Sequence, residues 1–465
     1  MADNNDIDDL KAKRLCYHCV GENYLCAEIK REGKRGRCSY CQRLAKSYTI
    51  EDMAERIDTA FEQHFIQLPD DGNDDGEPVV SAIENAADIS EEAAADIQAI
   101  LEDKHYDHEA AKCGEGCKFA SNSYYEEKGV DEFVWQEEWR YFERSLKAEA
   151  RFFSRIAAAH LAKIFGSVDK MSTTNGKPLV VDAGPDKSLS AIYRARVFQS
   201  VETLKLALCR PDEQLGSPSM IDAAAGRMNA RGISVFYGAN EPAVAIAEVR
   251  PPVGSQVAVA RFDIIRSLRL LDLTALSSVR EGGSIFDFGL AERLERTTFL
   301  RSLTDRIARP VMPDDEAFDY LITQAIADFL ATENDPLLDG IVFPSVQATD
   351  NALNIVLFHK AARVKAIEIP NGTEIKATTG MTTEEGWEPW YSVSERVPAN
   401  VEEKKEDEFP IFHLGMLPRY DSDVREATLQ VDLISIKVHA IQKVKFDTVE
   451  HEVHRHRTTK THSKF

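Results

Sequence analysis

Apolar residues recur every four positions near the start of the chain, which is the spacing of one face of an amphipathic helix. Thr49 and Asp52 precede this stripe with the spacing of a capping box. Ser90 is a preferred N-cap residue and predicts the start of a second helix. A third, longer helix is predicted over 132–165. The apolar faces of the first two helices are formed by Met53, Ile57, Phe61 and Phe65, and by Ile97, Ile100 and Leu101.

From about residue 187 the pattern changes to short strands and turns mixed with helices. One segment alternates as a half-buried strand would, and others are continuous apolar runs typical of buried strands. An irregular connection is predicted for 378–408. The predicted strands cover 257–262, 268–273, 340–344, 354–358 and 429–444, and a helical face is formed by Phe318, Leu321, Ile322, Ile326, Phe329 and Leu330.

These patterns predict an α+β chain, with a helical N-terminal region followed by a mixed α/β region. The length of 465 residues is enough for two or three domains with substantial cores. The predicted segments are 1–48, which is rich in cysteine, 49–186, which is helical, 187–375, which is mixed α/β, and 376–465, a C-terminal extension.

Composition limits the classes of function. Hydrophobic residues make up 43% of the chain and no apolar run approaches a membrane span, which indicates a soluble protein. The polar N-terminus lacks the apolar core of a signal peptide, so we expect a cytoplasmic protein. The net charge of -22 argues against nucleic-acid binding through the whole surface. Two basic segments, 30–37 and the tail 451–465, are interpreted as a solvated loop and a frayed terminus.

Four cysteines are arranged as two Cys-x2-Cys pairs. Cys16 and Cys19 form the first pair, and Cys38 and Cys41 form the second. Each pair can place two sulfurs on one ion, and two pairs complete a tetrahedral zinc site. Four thiolates leave no open position, so the predicted zinc is structural. The alternative is a small core of reduced cysteines that also includes Cys26.

A second, looser set of metal-ligand residue types follows in the helical region. It consists of His105, His108, Cys113 and Cys117. The spacings His-x2-His and Cys-x3-Cys are not specific for a metal, so a polar loop is the favoured interpretation.

The segment RIAAAH contains Arg155 and His160 in the Arg-x4-His pattern of HEPN ribonucleases. In such an enzyme the arginine would stabilise phosphate charge and the histidine would act as an acid or base. His160 lies near the apolar face of its helix, however, being four residues from Ile156. A partly buried structural histidine is therefore the favoured interpretation.

Three separated blocks after residue 187 resemble the RES domain, over roughly residues 190–365. They are IYRAR at 192–196, GRMNARGISVFYGANEPAVAIAEVR at 226–250 and DGIVFPSVQATDNALNIVLF at 339–358. The resemblance implies an NAD-consuming toxin with a fold like that of ADP-ribosyltransferases. The cysteine-rich helical region before it is similar to the HEPN/RES N-terminal domain.

The resemblance also implies roles for individual residues. The arginine, glutamate and serine that name the family correspond to Arg194, Glu248 and Ser345, although Arg196 lies as close to the motif as Arg194. Tyr237 corresponds to a tyrosine that lines the nicotinamide pocket. Two residues in the turn before that strand, Arg227 and Asn229, are predicted secondary contacts with the cofactor.

These residue types suit cleavage of the bond between nicotinamide and ribose, which passes through an oxocarbenium-like state. Glu248 would stabilise the developing positive charge, and the fork of Arg194 would bind the pyrophosphate. Tyr237 would stack on the cationic ring, and Ser345 would bond to the carboxamide or the ribose.

We therefore expect a toxin or defence effector that depletes NAD by hydrolysis or phosphorolysis. A cognate antitoxin or an activating trigger, and self-association, are further expectations. The alternatives are transfer of ADP-ribose to a macromolecule, a HEPN-type ribonuclease, and a zinc-dependent nucleic-acid-binding scaffold.

Overall fold

A computed structural model of the chain describes residues 4–68, 76–106, 117–309, 311–312, 314–345, 347, 352–384, 386–398, 423–445 and 448–457. Within these residues, no helix combines the length and the apolar character needed to cross a bilayer. The helices are α1 (Asn4–Ala12), α2 (Asn23–Glu32), α3 (Ile50–His64), α4 (Val79–Ala87), α5 (Glu91–His105), α6 (Phe133–Ala148), α7 (Arg155–Phe165), α8 (Val201–Cys209), α9 (Pro211–Gln214), α10 (Pro242–Glu248), α11 (Leu273–Leu276), α12 (Leu290–Ala308) and α13 (Glu316–Thr332). The strands are β1 (Arg14–Cys16), β2 (Lys34–Arg37), β3 (Leu44–Thr49), β4 (Phe65–Gln67), β5 (Glu77–Pro78), β6 (Tyr124–Glu127), β7 (Val180–Ala183), β8 (Ala191–Phe198), β9 (Phe236–Ala239), β10 (Gln256–Ile264), β11 (Leu268–Asp272), β12 (Gly340–Pro344), β13 (Leu353–Leu357), β14 (Glu374–Thr383), β15 (Gly386–Arg396) and β16 (Leu429–Ala440).

The chain forms two compact units, and each unit contains two separate stretches of sequence. The first is Met1–Val180 with Asp272–Leu337, and the second is Val181–Leu271 with Leu338–Phe465. These limits differ from the segments expected from the sequence, because α12 and α13 belong to the first unit. Within that unit, Phe299 of α12 stacks on Trp135 of α6, with ring centroids 5.8 Å apart.

The N-terminal part of the first unit contains a three-stranded antiparallel sheet in the order β1-β3-β2. The predicted capping box is confirmed: the Thr49 hydroxyl accepts from the Asp52 N–H, and the Asp52 carboxylate accepts from the Thr49 N–H. The Ser90 cap of α5 is also confirmed. The predicted stripe is buried along α3, but the helix ends at His64, so Phe65 begins β4 instead of continuing the stripe.

The single long helix predicted over 132–165 is wrong. Residues 149–154 separate α6 from α7, and the Ser154 hydroxyl caps α7 by accepting from the Ala157 N–H at 3.2 Å. Phe152 and Phe153, which continue the apolar pattern, are 91% and 96% exposed. Residues 149–154 therefore lack the buried apolar contacts that stabilise a helix in a protein, and the Ser154 cap starts a separate helix, α7.

The second unit is built on an eight-stranded sheet in the order β16-β10-β8-β9-β13-β12-β11-β7. The strands predicted over 257–262, 268–273, 340–344 and 354–358 are confirmed as β10, β11, β12 and β13. The stretch 429–444, predicted as strand broken by turns, is one continuous strand, β16, that ends at Ala440. The half-buried alternation predicted for β10 is wrong, because residues 257–260 are all buried. Val257 and Val259 pack with α10, while Ala258 and Ala260 pack in the core on the opposite face.

The irregular connection predicted over 378–408 is also wrong where the structure describes it. β14 and β15 form an antiparallel hairpin, and residues 399–408 lie outside the described residues. Trp387 and Trp390 of β15 are 64% and 57% exposed, and this strand has no buried face that would give its sequence an apolar alternation. The helical face predicted near 318–330 is confirmed in α13, except that Phe318 is exposed.

Candidate active site and metal centre

The strand-turn-helix unit predicted within 226–250 is present as β9, a short turn and α10. β9 pairs antiparallel with β13, with Tyr237 opposite Val356 and Ala239 opposite Asn354. Asn240 extends this pairing, because its N–H donates to the Leu353 carbonyl and its side-chain oxygen accepts from the Leu353 N–H. The turn is thereby fixed to the start of β13, and α10 carries Glu248 as its last residue.

Glu248 is held by two side chains through one of its oxygens. The Ser345 hydroxyl donates to Glu248 Oε1 at 2.5 Å, and the Asn354 amide donates to the same oxygen at 2.8 Å. Glu248 Oε2 accepts no hydrogen bond from the described residues. Ser345 Oγ in turn accepts from the Gln347 N–H at 3.1 Å. The structure thus brings Glu248 and Ser345 together and leaves one carboxylate oxygen open.

Asn354 is a member of this cluster that the sequence interpretation missed. The sequence predicts it as part of a buried apolar strand, and the residue is buried in β13, with 8% exposed. A buried amide requires hydrogen-bond partners, so a single polar residue in an apolar strand is a signal that points to a site. Here the partner is the carboxylate of Glu248.

Tyr237 is fixed by the turn that precedes its strand. Its hydroxyl donates to Asn229 Oδ1 at 2.8 Å and accepts from the Met228 N–H at 2.9 Å. A Cβ on Gly226 would lie 2.8 Å from that hydroxyl, so the close approach of the turn requires glycine. Arg227 is half-buried in the same turn, in which Gly226 and Asn229 are bonded through their backbones.

Asn229 supports this turn from inside. The residue is 4% exposed, and its amide nitrogen lies 2.9–3.1 Å from three backbone carbonyls that share its two N–H groups. Both polar atoms of its side chain thus have hydrogen-bond partners within the protein, because the amide oxygen accepts from the Tyr237 hydroxyl. Asn229 therefore positions Tyr237, and its contact with a cofactor stays a prediction. The three carbonyls belong to Ala224, Ala230 and Ile233.

Arg194 lies in β8 with its guanidinium 4.8 Å from the centre of the Phe236 ring. Burial, with Arg196 acting in the same direction, lowers the pKa of Arg194 to about 10, so it stays protonated at neutral pH. Its Nη1 is buried and has no hydrogen-bond partner among the described residues. Phe236 and Tyr237 are adjacent in a strand, so their side chains leave opposite sides of the sheet and the Arg194 side chain starts on the Phe236 face, although its charge still interacts with Tyr237. Arg196 is exposed and donates to the Gln214 carbonyl.

Part of this unit is similar to a known protein family. Residues 210–379 match the model of the RES domain. RES domains are known in NAD-degrading toxins, and this region is similar to them. The matched range includes Arg227, Asn229, Tyr237, Glu248 and Ser345, whereas Arg194 and Arg196 precede it.

The comparisons give no further relatives. No curated protein matches the chain, and no solved structure matches it. The family match does not extend to the N-terminal region, so its similarity to the HEPN/RES N-terminal domain stays a prediction. The likeness to ADP-ribosyltransferases also stays a prediction.

The two cysteine pairs of the first unit meet at one point. Their four sulfurs all lie within 4.8 Å of one another, which confirms the predicted grouping. Sγ···Sγ distances are 3.9 Å between Cys16 and Cys19, 3.5 Å between Cys16 and Cys41, and 3.9 Å between Cys19 and Cys38. A tetrahedral ion with Zn–S bonds of about 2.3 Å separates its sulfurs by about 3.8 Å. The four residues therefore fit a structural zinc ion.

The electrostatics of the cluster favour a bound cation. Burial raises the pKa of the Cys16 and Cys19 thiols, and the neighbouring cysteines add to this effect. At Cys41 the Arg43 backbone N–H lowers the thiol pKa to about 7. Several thiolates this close repel one another, and a divalent ion would offset that repulsion. Cys26 is outside the cluster, since its sulfur donates to the Tyr17 carbonyl.

The second candidate metal set is only partly described. His108 and Cys113 lie outside the described residues, so the favoured polar loop and the alternative metal site both stay untested there. His105 Nε2 lies 2.8 Å from Asp58 Oδ1, and the Cys117 sulfur contacts backbone carbonyls. Each of the two described members therefore has a partner other than a metal.

His160 is buried, with 8% of the residue exposed, as the structural interpretation predicts. Its ring lies 5.4 Å from the ring of Phe142 and 6.0 Å from that of Trp139. Desolvation lowers the pKa of His160, and its Nδ1 lies 3.5 Å from a Glu138 carboxylate oxygen. Arg155 is exposed. These surroundings are those of a core histidine in the first unit.

Proposed function

We propose that the second unit degrades NAD by cleaving the bond between nicotinamide and ribose. The observation that carries this proposal is the pair of hydrogen bonds to Glu248 Oε1 from Ser345 and Asn354. A carboxylate held in one orientation before the reaction stabilises developing positive charge without reorganising. Oε2 is then available for a ribose hydroxyl or for the oxocarbenium-like centre.

In this proposal Ser345 acts through Glu248. Its hydroxyl proton is directed at the carboxylate, and its oxygen accepts from the Gln347 N–H. Ser345 is therefore proposed as a positioning residue, in place of the direct contact with carboxamide or ribose expected from the sequence. Asn354 has the same role from the opposite strand.

Tyr237 is proposed to offer its ring to the nicotinamide. Its hydroxyl is engaged by Asn229 and Met228, so the ring is oriented before the substrate arrives. Tyr237 pairs with Val356, which lies two residues from Asn354 in β13, so Tyr237 and Asn354 share one face of the sheet. Stacking against a cationic ring contributes about 0.5–2 kcal/mol.

Two arginines are candidates for binding the pyrophosphate. Arg227 lies within the RES match and directly precedes Met228, which bonds to Tyr237. Arg194 has an unpaired buried nitrogen but lies on the Phe236 face, before the matched range. We assign phosphate binding to Arg227 and propose that Arg194 supports the sheet from its other face. Arg227→Lys should then raise the KM for NAD more than Arg194→Lys, and the reverse order would return the role to Arg194.

The decisive experiment measures NAD loss and nicotinamide release by the purified protein. Glu248→Gln should lower turnover by about 100-fold or more, the order of effect seen when one charge-stabilising group is removed. Glu241→Gln is the matched control, because Glu241 is exposed at the start of the same helix and makes no side-chain cap. An unchanged NAD concentration with the wild-type protein, or full turnover by Glu248→Gln, would contradict the proposal.

The products identify the acceptor. ADP-ribose indicates hydrolysis, and a phosphorylated ADP-ribose that forms only in phosphate buffer indicates phosphorolysis. Label from NAD retained on protein or nucleic acid indicates transfer to a macromolecule. Inducible expression should arrest growth in parallel with NAD loss, and we propose that a cognate antitoxin or a trigger restrains the enzyme in its host.

A further inference from the structure

A concave basic surface lies on the cysteine-bearing part of the first unit and is not explained by NAD chemistry. The depression in this basic surface has a volume of about 580 Å³, and none of the described residues that line it carries a carboxylate. Its cations come from α2, β2, β3 and the loop between the last two, and its aromatic rings come from the first cysteine pair. The residues are Tyr17, His18, Lys30, Arg35, Arg43, Leu44, Ala45 and Lys46.

The antiparallel sheet aligns three of these residues in a row. Arg35 in β2 is directly opposite Lys46 in β3. On the other side of β3, the Tyr17 N–H donates to the Lys46 carbonyl at 3.3 Å. Neighbouring strands lie about 4.8 Å apart, so one aromatic residue and two cations follow one another across the sheet.

The charges of this basic surface are not neutralised by the protein. Arg35 and Arg43 are exposed, and neither guanidinium forms a hydrogen bond or an ion pair with the described residues. The Lys46 ammonium is held in place by the carbonyls of Lys30 and Arg31. Residues 30–46 contain seven basic residues and one acidic residue, in a chain with a net charge of -22. Such a local reversal of sign attracts an anionic partner.

The aromatic rings distinguish between anionic partners. Tyr17 and His18 have ring centroids 4.0 Å apart and form a small aromatic platform beside the cations. Lys30 Nζ lies 5.0 Å from the centre of the Tyr17 ring. An acidic peptide would use the cations alone, whereas a single-stranded nucleic acid uses cations for its phosphates and rings for its bases.

We propose that this basic surface binds single-stranded nucleic acid. Arg35 and Arg43 contact the phosphates, and an unpaired base stacks on the exposed ring of His18, which itself lies against Tyr17. The binding is not specific for sequence, because base stacking and phosphate contacts do not distinguish one base from another. It is independent of the NAD reaction.

Fluorescence anisotropy of the zinc-loaded full-length protein with labelled oligo(dT) and oligo(U) of fifteen nucleotides tests this proposal. We expect a Kd of about 1–100 µM near physiological salt. Two phosphate contacts to a single strand predict that affinity falls about sevenfold between 50 and 200 mM salt. Binding that does not depend on salt would contradict phosphate contacts.

A charge-reversing double variant, Arg35→Glu with Arg43→Glu, should weaken binding at least tenfold. The matched control is Lys170→Glu with Lys177→Glu, which changes the net charge equally at two exposed positions of the same unit. The control should bind within twofold of the wild type, and equal losses in both variants would attribute binding to bulk charge. Zinc content and thermal stability should be the same in all three proteins.

The aromatic platform is tested separately. Stacking contributes about 1–3 kcal/mol per base, so His18→Ala should weaken binding about fivefold or more. Oligoglutamate of fifteen residues should compete poorly with the oligonucleotide. If it competes equally well, the partner is an acidic peptide. If a duplex of the same length binds more tightly than the single strand, the proposed single-stranded ligand is wrong.

Discussion

The hydrogen bond from Asn354 to Glu248 provides a direct test of how the carboxylate is held. Replacing Asn354 with leucine keeps the size of the side chain but removes the donor 2.8 Å from Oε1. A hydrogen bond to a charged acceptor contributes about 1.5–3 kcal/mol. At about 1.4 kcal/mol for each factor of ten, its loss should lower kcat for NAD cleavage by about 10- to 150-fold.

The assay is initial-rate nicotinamide release at saturating NAD, with KM measured in parallel. Because Asn354 acts through Glu248, kcat should fall while KM changes less than about threefold. Asn334→Leu is the matched control, since Asn334 is also a buried asparagine and its amide donates to the Pro336 carbonyl in the first unit. That variant should keep the turnover of the wild type per folded molecule.

The double variant with Ser345→Ala examines whether the two donors act as one unit. Both donate to the same oxygen, so their effects should not be additive. Turnover of Asn354→Leu within twofold of the wild type, in a protein of unchanged thermal stability, would refute the role assigned to this bond. Additive losses would indicate that Ser345 contacts the substrate independently of Glu248.

Three further predictions concern the metal, pH and the turn that holds Tyr237. Cys38→Ser should reduce bound zinc from one equivalent to less than half by elemental analysis and lower the thermal midpoint, whereas Cys26→Ser should keep the metal. Burial lowers the pKa of His160, so the unfolded chain binds the proton more readily than the folded chain, and the free energy of unfolding should fall as pH drops below about 6.5. His160→Phe should remove part of that pH dependence in calorimetric scans, and a pH profile identical to that of the wild type would contradict the prediction. Gly226→Ala places a methyl group 2.8 Å from the Tyr237 hydroxyl, so it should reduce NAD turnover without loss of zinc, and a fully active variant would show that this contact is dispensable.

The features that sequence predicted well are those determined by short-range chemistry. The capping box of Thr49 and Asp52 depends on residues three apart, and it forms as predicted. The two Cys-x2-Cys pairs need only local knuckles and one sheet to converge, and their sulfurs meet. In the second unit the resemblance named Glu248 and Ser345, which lie 97 positions apart and are hydrogen-bonded.

The features that the sequence did not predict depend on which parts of each helix or strand the rest of the fold buries. Phe152 and Phe153 continue a helical apolar pattern but contact solvent, so the pattern did not reveal the break between α6 and α7. Trp387 and Trp390 lie in β15, which is exposed at every position except Tyr391, so burial imposes no apolar alternation on its sequence. Asn354 was not predicted as a site residue because the apolar pattern of its strand does not show that a buried amide needs a hydrogen-bond partner, which here is Glu248.

The position of β16 beside β10 affects the synthesis and handling of the protein. Leu429, where β16 begins, follows the last residue of β10 by 165 positions. At about 5–20 residues per second, a nascent chain carries β10 for about 8–33 s before its outer partner is made. During that interval β10 is an apolar edge that can pair with other chains. A fragment cut at residues 187 and 375 keeps this edge open permanently, so we expect it to aggregate while the full chain stays soluble, which light scattering of the two proteins would measure.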